Sequence, residues 1–235
     1  MNDIRWVDML KRLSSLFRSN PSAGKNLKDK FKDIYVNNKF GGKESRSGEG
    51  SNLAQTEVIR TELPKLLDEF GARIFIDAPC GDLYWIKETR LNIDKYIGID
   101  IVEELIEANK VKFRNDHYRE FHCLNLVENI LPRADLIFCR DCLVHLHNKD
   151  IKKLIANLRE SQSTYLLTTT FTKRKKNVDL IGGNIWRPLN LQAPPFNFPP
   201  PLRLINEKCS EGDNKFSDKC LGLWRLLDLP EWHIK

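Results

Sequence analysis

The sequence has no long uninterrupted run of apolar residues. Its apolar stretches are far shorter than the roughly 20 residues that a helix needs to cross a bilayer. Charged residues occur from Asp3 and Arg5 onward, which is unlike the N-terminus of a secretory signal peptide. We therefore expect a cytoplasmic protein.

A strong excess of one charge is also missing. The 235 residues include 38 Lys and Arg against 32 Asp and Glu, a formal net charge of +6, and the tight basic cluster at residues 173–176 is short. Proteins that bind duplex nucleic acid usually carry a more strongly basic face. The balance argues against a duplex partner but leaves open a weak attraction to phosphorylated substrates or anionic membranes.

The six cysteines do not form a metal-binding pattern. Cys139 and Cys142 match CxxC, but a zinc site needs further ligands at similar spacing. Cys209 and Cys220 are too far apart to form such a pair and have no neighbouring histidine. We predict no metal site, and a thioredoxin-like redox role is disfavoured because Cys139 and Cys142 end a predicted strand.

Short apolar runs alternate with helix-like segments through most of the chain. This alternation predicts a parallel sheet covered by helices. The predicted strands are residues 74–76, 96–99, 121–124, 134–139 and 165–170, with an antiparallel pair at 202–205 and 221–226. The predicted helices are residues 53–70, 84–90, 102–114 and 149–158, the first kinked or divided at Pro64. The fold class expected is a doubly wound, Rossmann-like α/β sheet of seven mostly parallel strands with an antiparallel C-terminal strand.

Residues 1–52 are predicted to form an N-terminal helical cap and lid ahead of a main domain at 53–235. Apolar residues at helical spacing predict a helix over 2–17, which would cap the main domain or make weak peripheral contact with a membrane as a basic amphipathic helix. Residues 19–30 are polar and are predicted to be a linker. The stretch 40–51 is rich in glycine and serine and is predicted to be a mobile loop.

Two acidic residues end the first two predicted strands. Asp77 follows Ile76 and precedes a turn that contains Gly81, and Asp100 ends the next strand 23 residues later. Ligands of such sheets bind at the carboxyl ends of the strands, and a carboxylate on the second strand accepts hydrogen bonds from ribose hydroxyls. A glycine in the turn lets the backbone approach the ligand. The pair predicts a site for an adenosyl cofactor.

A nicotinamide-dependent dehydrogenase would use a similar arrangement of strands and acids. It should also have the sequence GxGxxG directly after its first strand. Residues 77–83 lack that pattern, which disfavours this alternative.

With these motifs, residues 53–171 resemble the class I S-adenosylmethionine-dependent methyltransferases. The turn keeps the family's central glycine as Gly81 and departs from it at Pro79 and Leu83, and Asp100 matches the second-strand acid. The resemblance implies S-adenosylmethionine as cofactor, with Ile101 on the adenine face, and a lid formed by residues 47–51 with Gln55. The cofactor-binding residues that it implies are Asp77, Ala78, Pro79, Gly81, Asp100, Ile101, Asn125, Leu126 and Arg140.

Asp141 and His145 follow the fourth predicted strand and are the candidate catalytic residues. Histidine has a reference pKa of about 6.5, which suits a general base at neutral pH, although a histidine packed at the head of a helix is an equal alternative. Three roles stay open for Asp141: base, partner of His145, or ligand of the cofactor's ammonium group. Arg140 would reach the cofactor's carboxylate.

The segment 184–201 combines prolines, aromatic rings and amides and is the candidate acceptor-binding segment. Trp186, Arg187 and Asn190 would bind a sugar, while a loop pinned over the sheet is the equal alternative. Ala193–Phe196 resembles a motif of base-amine methyltransferases but lies beyond the fifth strand rather than after the fourth, which argues against that class. We expect O-methylation of a sugar hydroxyl on a glycan or small metabolite. The alternatives are N-methylation of a small amine and a non-catalytic binding module.

Overall fold

The computed structural model describes residues 27–181 and 184–232. In these ranges the longer helices are α1 (Leu27–Val36), α2 (Glu57–Glu69), α3 (Glu103–Lys112) and α4 (Asn148–Glu160). The strands are β1 (Ile74–Asp77), β2 (Lys95–Asp100), β3 (Arg119–Cys123), β4 (Leu136–Cys139), β5 (Tyr165–Phe171), β6 (Arg203–Asn206) and β7 (Lys219–Arg225). Short 3-10 helices occupy Glu49–Ser51, Ile86–Glu88, Leu143–His145 and Leu226–Asp228.

The seven strands form one sheet in the order β3-β2-β1-β4-β5-β7-β6. The strands from β3 to β5 pair in parallel, and β7 pairs antiparallel with both β5 and β6. The predicted seven-stranded sheet with an antiparallel C-terminal part is confirmed. Strand order reverses between β1 and β4, and a sheet of this kind binds ligands outside the carboxyl ends of the strands at that reversal.

Both faces of the central strands β1, β2, β4 and β5 are buried, as their apolar residues require. One face packs against α2 and α3, and there the Phe75 ring lies 6.0 Å from Phe138 and 5.8 Å from Tyr96. The other face packs against α4, which buries residues at helical spacing: Ile151, Leu154, Ile155 and Leu158. Layers on both sides hold the strand ends in fixed register, and the site described below lies at those ends.

The structure corrects the prediction in three places. Residues 27–30 belong to α1 rather than to a linker, because the spaced apolar residues Phe31 and Ile34 face the core. The predicted helix 84–90 is reduced to the 3-10 helix Ile86–Glu88, and Pro64 lies inside a single helix, α2. The predicted helix 2–17 and residues 19–26 lie outside the described residues.

Residues 40–51 fold as turns that end in a 3-10 helix and rest on the sheet's carboxyl edge. Asp82 holds them there, since its carboxylate accepts hydrogen bonds from Ser45 Oγ at 2.8 Å and from the Arg46 N–H at 3.0 Å. Residues 40–51 are called the cover segment below. Within the described part of the chain, no helix is long and apolar enough to cross a membrane.

Candidate cofactor and acceptor site

A cavity of about 180 Å³ opens at the carboxyl ends of β1, β2 and β4. Most of the predicted cofactor residues form its wall: Asp77, Pro79, Gly81, Asp100, Ile101, Asn125, Leu126 and Arg140. Ala78 is fully buried behind it. The cover segment and α1 close the opposite side with Phe31, Tyr35, Phe40 and Ser47.

Asp100 is fixed at the end of β2 by two backbone hydrogen bonds. The Gly81 N–H donates to Oδ2 at 3.2 Å and the Val102 N–H donates to Oδ1 at 3.0 Å. Burial raises the pKa of this carboxyl, against the effect of those two donors. Each carboxylate oxygen can accept further bonds, so Asp100 is a hydrogen-bond acceptor in the wall of the cavity.

Gly81 gives the turn after β1 its shape. Its φ of +56° lies in the left-handed region, and a Cβ there would come within 2.3 Å of Ser47 Oγ. The Asn109 side chain of α3 donates to the Gly81 carbonyl at 2.9 Å. The glycine therefore lets the cover segment sit directly on the turn, and Asn109 is a supporting residue that the sequence analysis missed.

Asp77 is buried at the end of β1 and accepts a hydrogen bond from Tyr96 Oη at 2.6 Å. Burial raises its pKa to about 7, although the Tyr96 hydroxyl opposes the shift, and the nearby Asp100 carboxylate adds to it. Asp77 is therefore a group whose charge changes near neutral pH.

This shift predicts a pH dependence of stability. Because the folded state holds the Asp77 proton more tightly than the unfolded chain, the stabilisation is complete below about pH 4 and is lost as the pH rises through about 7. We expect the free energy of unfolding to fall by about 2–3 kcal/mol more between pH 5 and pH 8 in the wild type than in Asp77→Asn. Urea unfolding at both pH values measures it, and equal falls in the two proteins would contradict the prediction.

Arg140 follows β4 and is held by protein groups. Its Nε and Nη2 donate to Glu207 Oε2 at 3.2 and 2.8 Å, and Nη2 also donates to the Gly50 carbonyl at 2.9 Å. Its guanidinium therefore joins the cover segment to the residue that follows β6. A cofactor carboxylate, the predicted partner of Arg140, would have to compete with Glu207 and the Gly50 carbonyl for these N–H groups.

Asp141 has a φ of +52°, unusual for a residue other than glycine. Its backbone N–H donates to Thr169 Oγ1 at 2.8 Å, and Lys219 Nζ lies 2.6 Å from Oδ2. Burial alone would raise its pKa, but the charges of Lys219 and Arg140 outweigh burial and hold the pKa at about 2. Such a carboxylate is a poor general base at neutral pH.

His145 is held by its Nδ1, which lies 2.6 Å from the Ile185 carbonyl oxygen. Only an N–H can bond that oxygen, so Nδ1 carries the proton and the neutral ring keeps Nε2 as an acceptor. The ring packs against Phe40 at 5.2 Å, and burial lowers its pKa to about 4. This corrects the expectation of a base with an ordinary histidine pKa.

Asn125 and Leu126 lie on the wall as predicted, but the Asn125 side chain is already engaged. Its Oδ1 accepts the Val127 N–H at 3.0 Å. One lone pair of that oxygen stays available for a ligand. Ile101 and Leu126 supply the apolar part of this wall.

A second cavity of about 90 Å³ adjoins the first. The two share wall residues Phe40, Ser47, Ser51, Asp141 and His145. The remaining side chains of the second wall include Glu49, Phe171, Trp186, Glu211, Phe216 and Lys219. Glu211 and Lys219 come from the C-terminal part of the chain, and the sequence analysis did not identify them.

Of the three predicted acceptor residues, the structure brings one to a cavity. Trp186 lies in the second wall, whereas Arg187 and Asn190 line neither cavity. Arg187 donates to the carbonyls of Val178 and Val144 at 2.8 and 3.2 Å, and Asn190 Nδ2 donates to the Arg174 carbonyl at 2.8 Å. Both pin the loop over the sheet, which is the alternative interpretation of this segment.

The cysteines of the CxxC match lie where β4 ends, at Cys139, and directly before the 3-10 helix Leu143–His145, at Cys142. Cys139 is buried and Cys142 half-buried, and both are free thiols. Across residues 27–181 and 184–232, no group of three or more His, Cys, Asp or Glu side chains is arranged to hold a metal ion.

The geometry resembles solved methyltransferase structures. N-methyltransferase NodS from Bradyrhizobium japonicum WM9 matches with a TM-score of 0.55 at 12% identity, over 77% of this chain and 99% of NodS. The fold is that of the class I methyltransferases. The NodS complex with S-adenosyl-L-homocysteine matches this class I fold with a TM-score of 0.52 at 12% identity, over 95% and 99% of the two chains.

The methyltransferase domain of bacterial CtHen1-C also matches, over a smaller part of this chain. It has 17% identity and a TM-score of 0.44, and it covers 51% of this chain and 66% of that domain. No protein-family model matches the sequence, and no curated protein matches it. The class I assignment therefore concerns the fold, and it agrees with the strand order described above.

Proposed function

We propose that this protein is an S-adenosylmethionine-dependent methyltransferase that acts on a small acceptor. The main support is Asp100, a buried carboxylate oriented by the Gly81 and Val102 N–H groups at the end of β2. A carboxylate at that position suits the two hydroxyls of a ribose. NodS, which has the same fold, was crystallised with S-adenosyl-L-homocysteine.

The first cavity has groups that fit each part of such a cofactor. Asp100 would receive the ribose hydroxyls, Ile101 and Leu126 would flank the adenine, and Asn125 would bond its edge. The bound cofactor would supply an activated methyl group. In this proposal Arg140 acts by holding Gly50 and Glu207 in place.

The second cavity is the proposed place of the acceptor, because it adjoins the first at Asp141 and His145. A sugar hydroxyl is the acceptor predicted from the sequence. The rings of Trp186 and Phe216 would pack on the sugar, and Glu211 would bond its hydroxyls. The low pKa values of Asp141 and His145 leave this reaction without a strong base among the predicted residues.

A small amine is the second candidate acceptor. The acidic side chains of the second cavity favour it, since Glu49, Asp141 and Glu211 outnumber Lys219 there. NodS is an N-methyltransferase, which agrees with this candidate. The cytoplasmic location stays a prediction of the sequence.

Calorimetry with S-adenosylmethionine and S-adenosylhomocysteine tests the proposal first. We expect saturable 1:1 binding of both. A screen of nucleoside-diphosphate sugars, short oligosaccharides and small amines, read by mass spectrometry for added methyl groups, then identifies the acceptor. Absence of binding would refute the proposal, and binding without methyl transfer to any compound would favour a non-catalytic binding module.

A further inference from the structure

The second cavity is bounded by a cluster of aromatic rings. The Trp186 ring lies 5.0 Å from Phe216 and 5.9 Å from Phe171, both in edge-to-face contact, and Phe40 of the cover segment completes the wall. The face of an aromatic ring carries partial negative charge and attracts cations, most strongly in tryptophan. The walls therefore suit a ligand that is both organic and positively charged.

An ion network that is neutral as a whole adjoins these rings, and two of its members, Asp141 and Lys219, also line the cavity. Arg140 and Lys219 supply two positive charges, and Asp141 and Glu207 supply two negative ones. All of these pairs lie within 4 Å, and the Glu207 side chain is 1% exposed. Because two positive charges face two negative ones, the network provides no surplus positive charge to the cavity.

Glu211 adds a carboxylate that this network does not neutralise. Its two oxygens lie 3.5 and 3.6 Å from the point where a Cβ on Gly50 would stand, and Asp141 Oδ2 lies 3.7 Å from the same point. The two carboxylates therefore converge beside Gly50. The Cys209 thiol, 3.4 Å from Glu211 Oε2, is a weak donor and carries no charge.

The other titratable groups that face the cavity do not reverse this balance. Glu49 adds a further carboxylate, and the half-buried His145 is neutral at pH 7 because its pKa is about 4. Burial raises the pKa of Glu211, Lys219 opposes the shift, and the Asp141 charge adds to it. A half-buried carboxylate in this position is stabilised by a cation that enters the cavity.

We propose that the second cavity binds an organic ammonium group, with Glu211 as its counter-ion and Trp186 as its aromatic wall. The inference deepens the proposed function, on which it rests, by assigning the acceptor to the amines. A neutral polyol would contact the same rings but would leave the surplus negative charge uncompensated. The positive charge is what distinguishes an ammonium ligand from a neutral polyol. A preference for that charge can be tested before the natural acceptor is known.

The test compares two probes of nearly equal shape, n-butylammonium and n-butanol. At pH 7.5 the alkylamine is protonated, like a lysine side chain with its pKa of about 10.4. Binding is measured by calorimetry on the wild-type protein, with and without saturating S-adenosylhomocysteine. We expect n-butylammonium to bind at least about tenfold more tightly than n-butanol.

Two substitutions locate the interaction. Glu211→Gln keeps the shape of the side chain. We expect it to weaken the binding of n-butylammonium about tenfold and to leave the affinity for n-butanol unchanged. Trp186→Leu is expected to weaken n-butylammonium about threefold through loss of the cation–π contact. Glu69→Gln, on the exposed end of α2, is the matched control and should change neither affinity. Thermal unfolding checks that each variant is folded.

The outcomes separate this inference from the proposed function. Equal affinities for the two probes, or equal loss of both in Glu211→Gln, would overturn the ammonium site even if S-adenosylhomocysteine binds. Selective ammonium binding without any binding of S-adenosylhomocysteine would support the cavity's ligand class and refute the methyltransferase proposal.

Discussion

Arg140→Met is expected to lower the free energy of unfolding by about 3–5 kcal/mol, because it leaves Glu207 as a buried charge without its main partner. Arg140 also donates to the Gly50 carbonyl, so the substitution releases the cover segment from β4. Urea unfolding at pH 7, followed by circular dichroism, measures the change. Methionine retains much of the side chain's volume, which limits the loss of packing.

Two further variants control this experiment. Arg203→Met removes an exposed arginine that is paired with Glu69, and its unfolding midpoint should stay close to that of the wild type because the pair lies in water. Adding Glu207→Gln to Arg140→Met should recover part of the loss, since the unpaired charge is then removed. A single Arg140→Met variant as stable as Arg203→Met would contradict the prediction.

Asp100→Ala is expected to weaken the binding of S-adenosylhomocysteine by about 1–3 kcal/mol, or roughly 5- to 150-fold. In the proposed function Asp100 accepts the ribose hydroxyls, and the substitution would remove that acceptor. It also removes the acceptor of the Gly81 N–H, which loosens the turn beneath the cofactor. Calorimetry at pH 7.5 gives the dissociation constants of the two proteins.

The matched control is Asp94→Ala, which removes an exposed carboxylate just before β2, at the end of the strand opposite Asp100. Its dissociation constant should equal that of the wild type. If Asp100→Ala binds S-adenosylhomocysteine as tightly as Asp94→Ala does, Asp100 does not contact the ligand.

The sheet could be predicted from the sequence because each strand is indicated by the residues within that strand. The parallel strands β1, β2 and β4 contain short apolar runs, and Asp77 and Asp100 end two of them, so their proximity follows from parallel pairing alone. Helix α1 was missed because residues 19–30 are mostly polar and include Pro21 and Gly24, although Leu27, Phe31 and Ile34 stand at helical spacing. The helix is positioned by long-range packing, because Leu27, Phe31 and Tyr35 contact the core clusters formed by distant parts of the chain.

The second cavity could not be predicted in the same way. Arg140 bonds Glu207 across 67 residues of sequence, and Asp141 bonds Lys219 across 78. No spacing rule connects residues so far apart, because the pairings of β4 with β5, of β5 with β7 and of β7 with β6 bring them together. The pKa of His145 was misjudged for a related reason, since burial against Phe40 cannot be inferred from neighbouring residues.

The residues that line the two cavities come from different parts of the sequence, which bears on how acceptor specificity could evolve. The strand-end residues of the first wall come largely from residues 77–126, whereas Phe171, Trp186, Glu211, Phe216 and Lys219 of the second follow β4. If the proposed function holds, substitutions in the later part of the chain would alter which acceptor binds without changing the residues proposed to bind the nucleotide. An engineer seeking a new acceptor would diversify positions 171, 186, 211 and 216 and leave residues 77–101 intact.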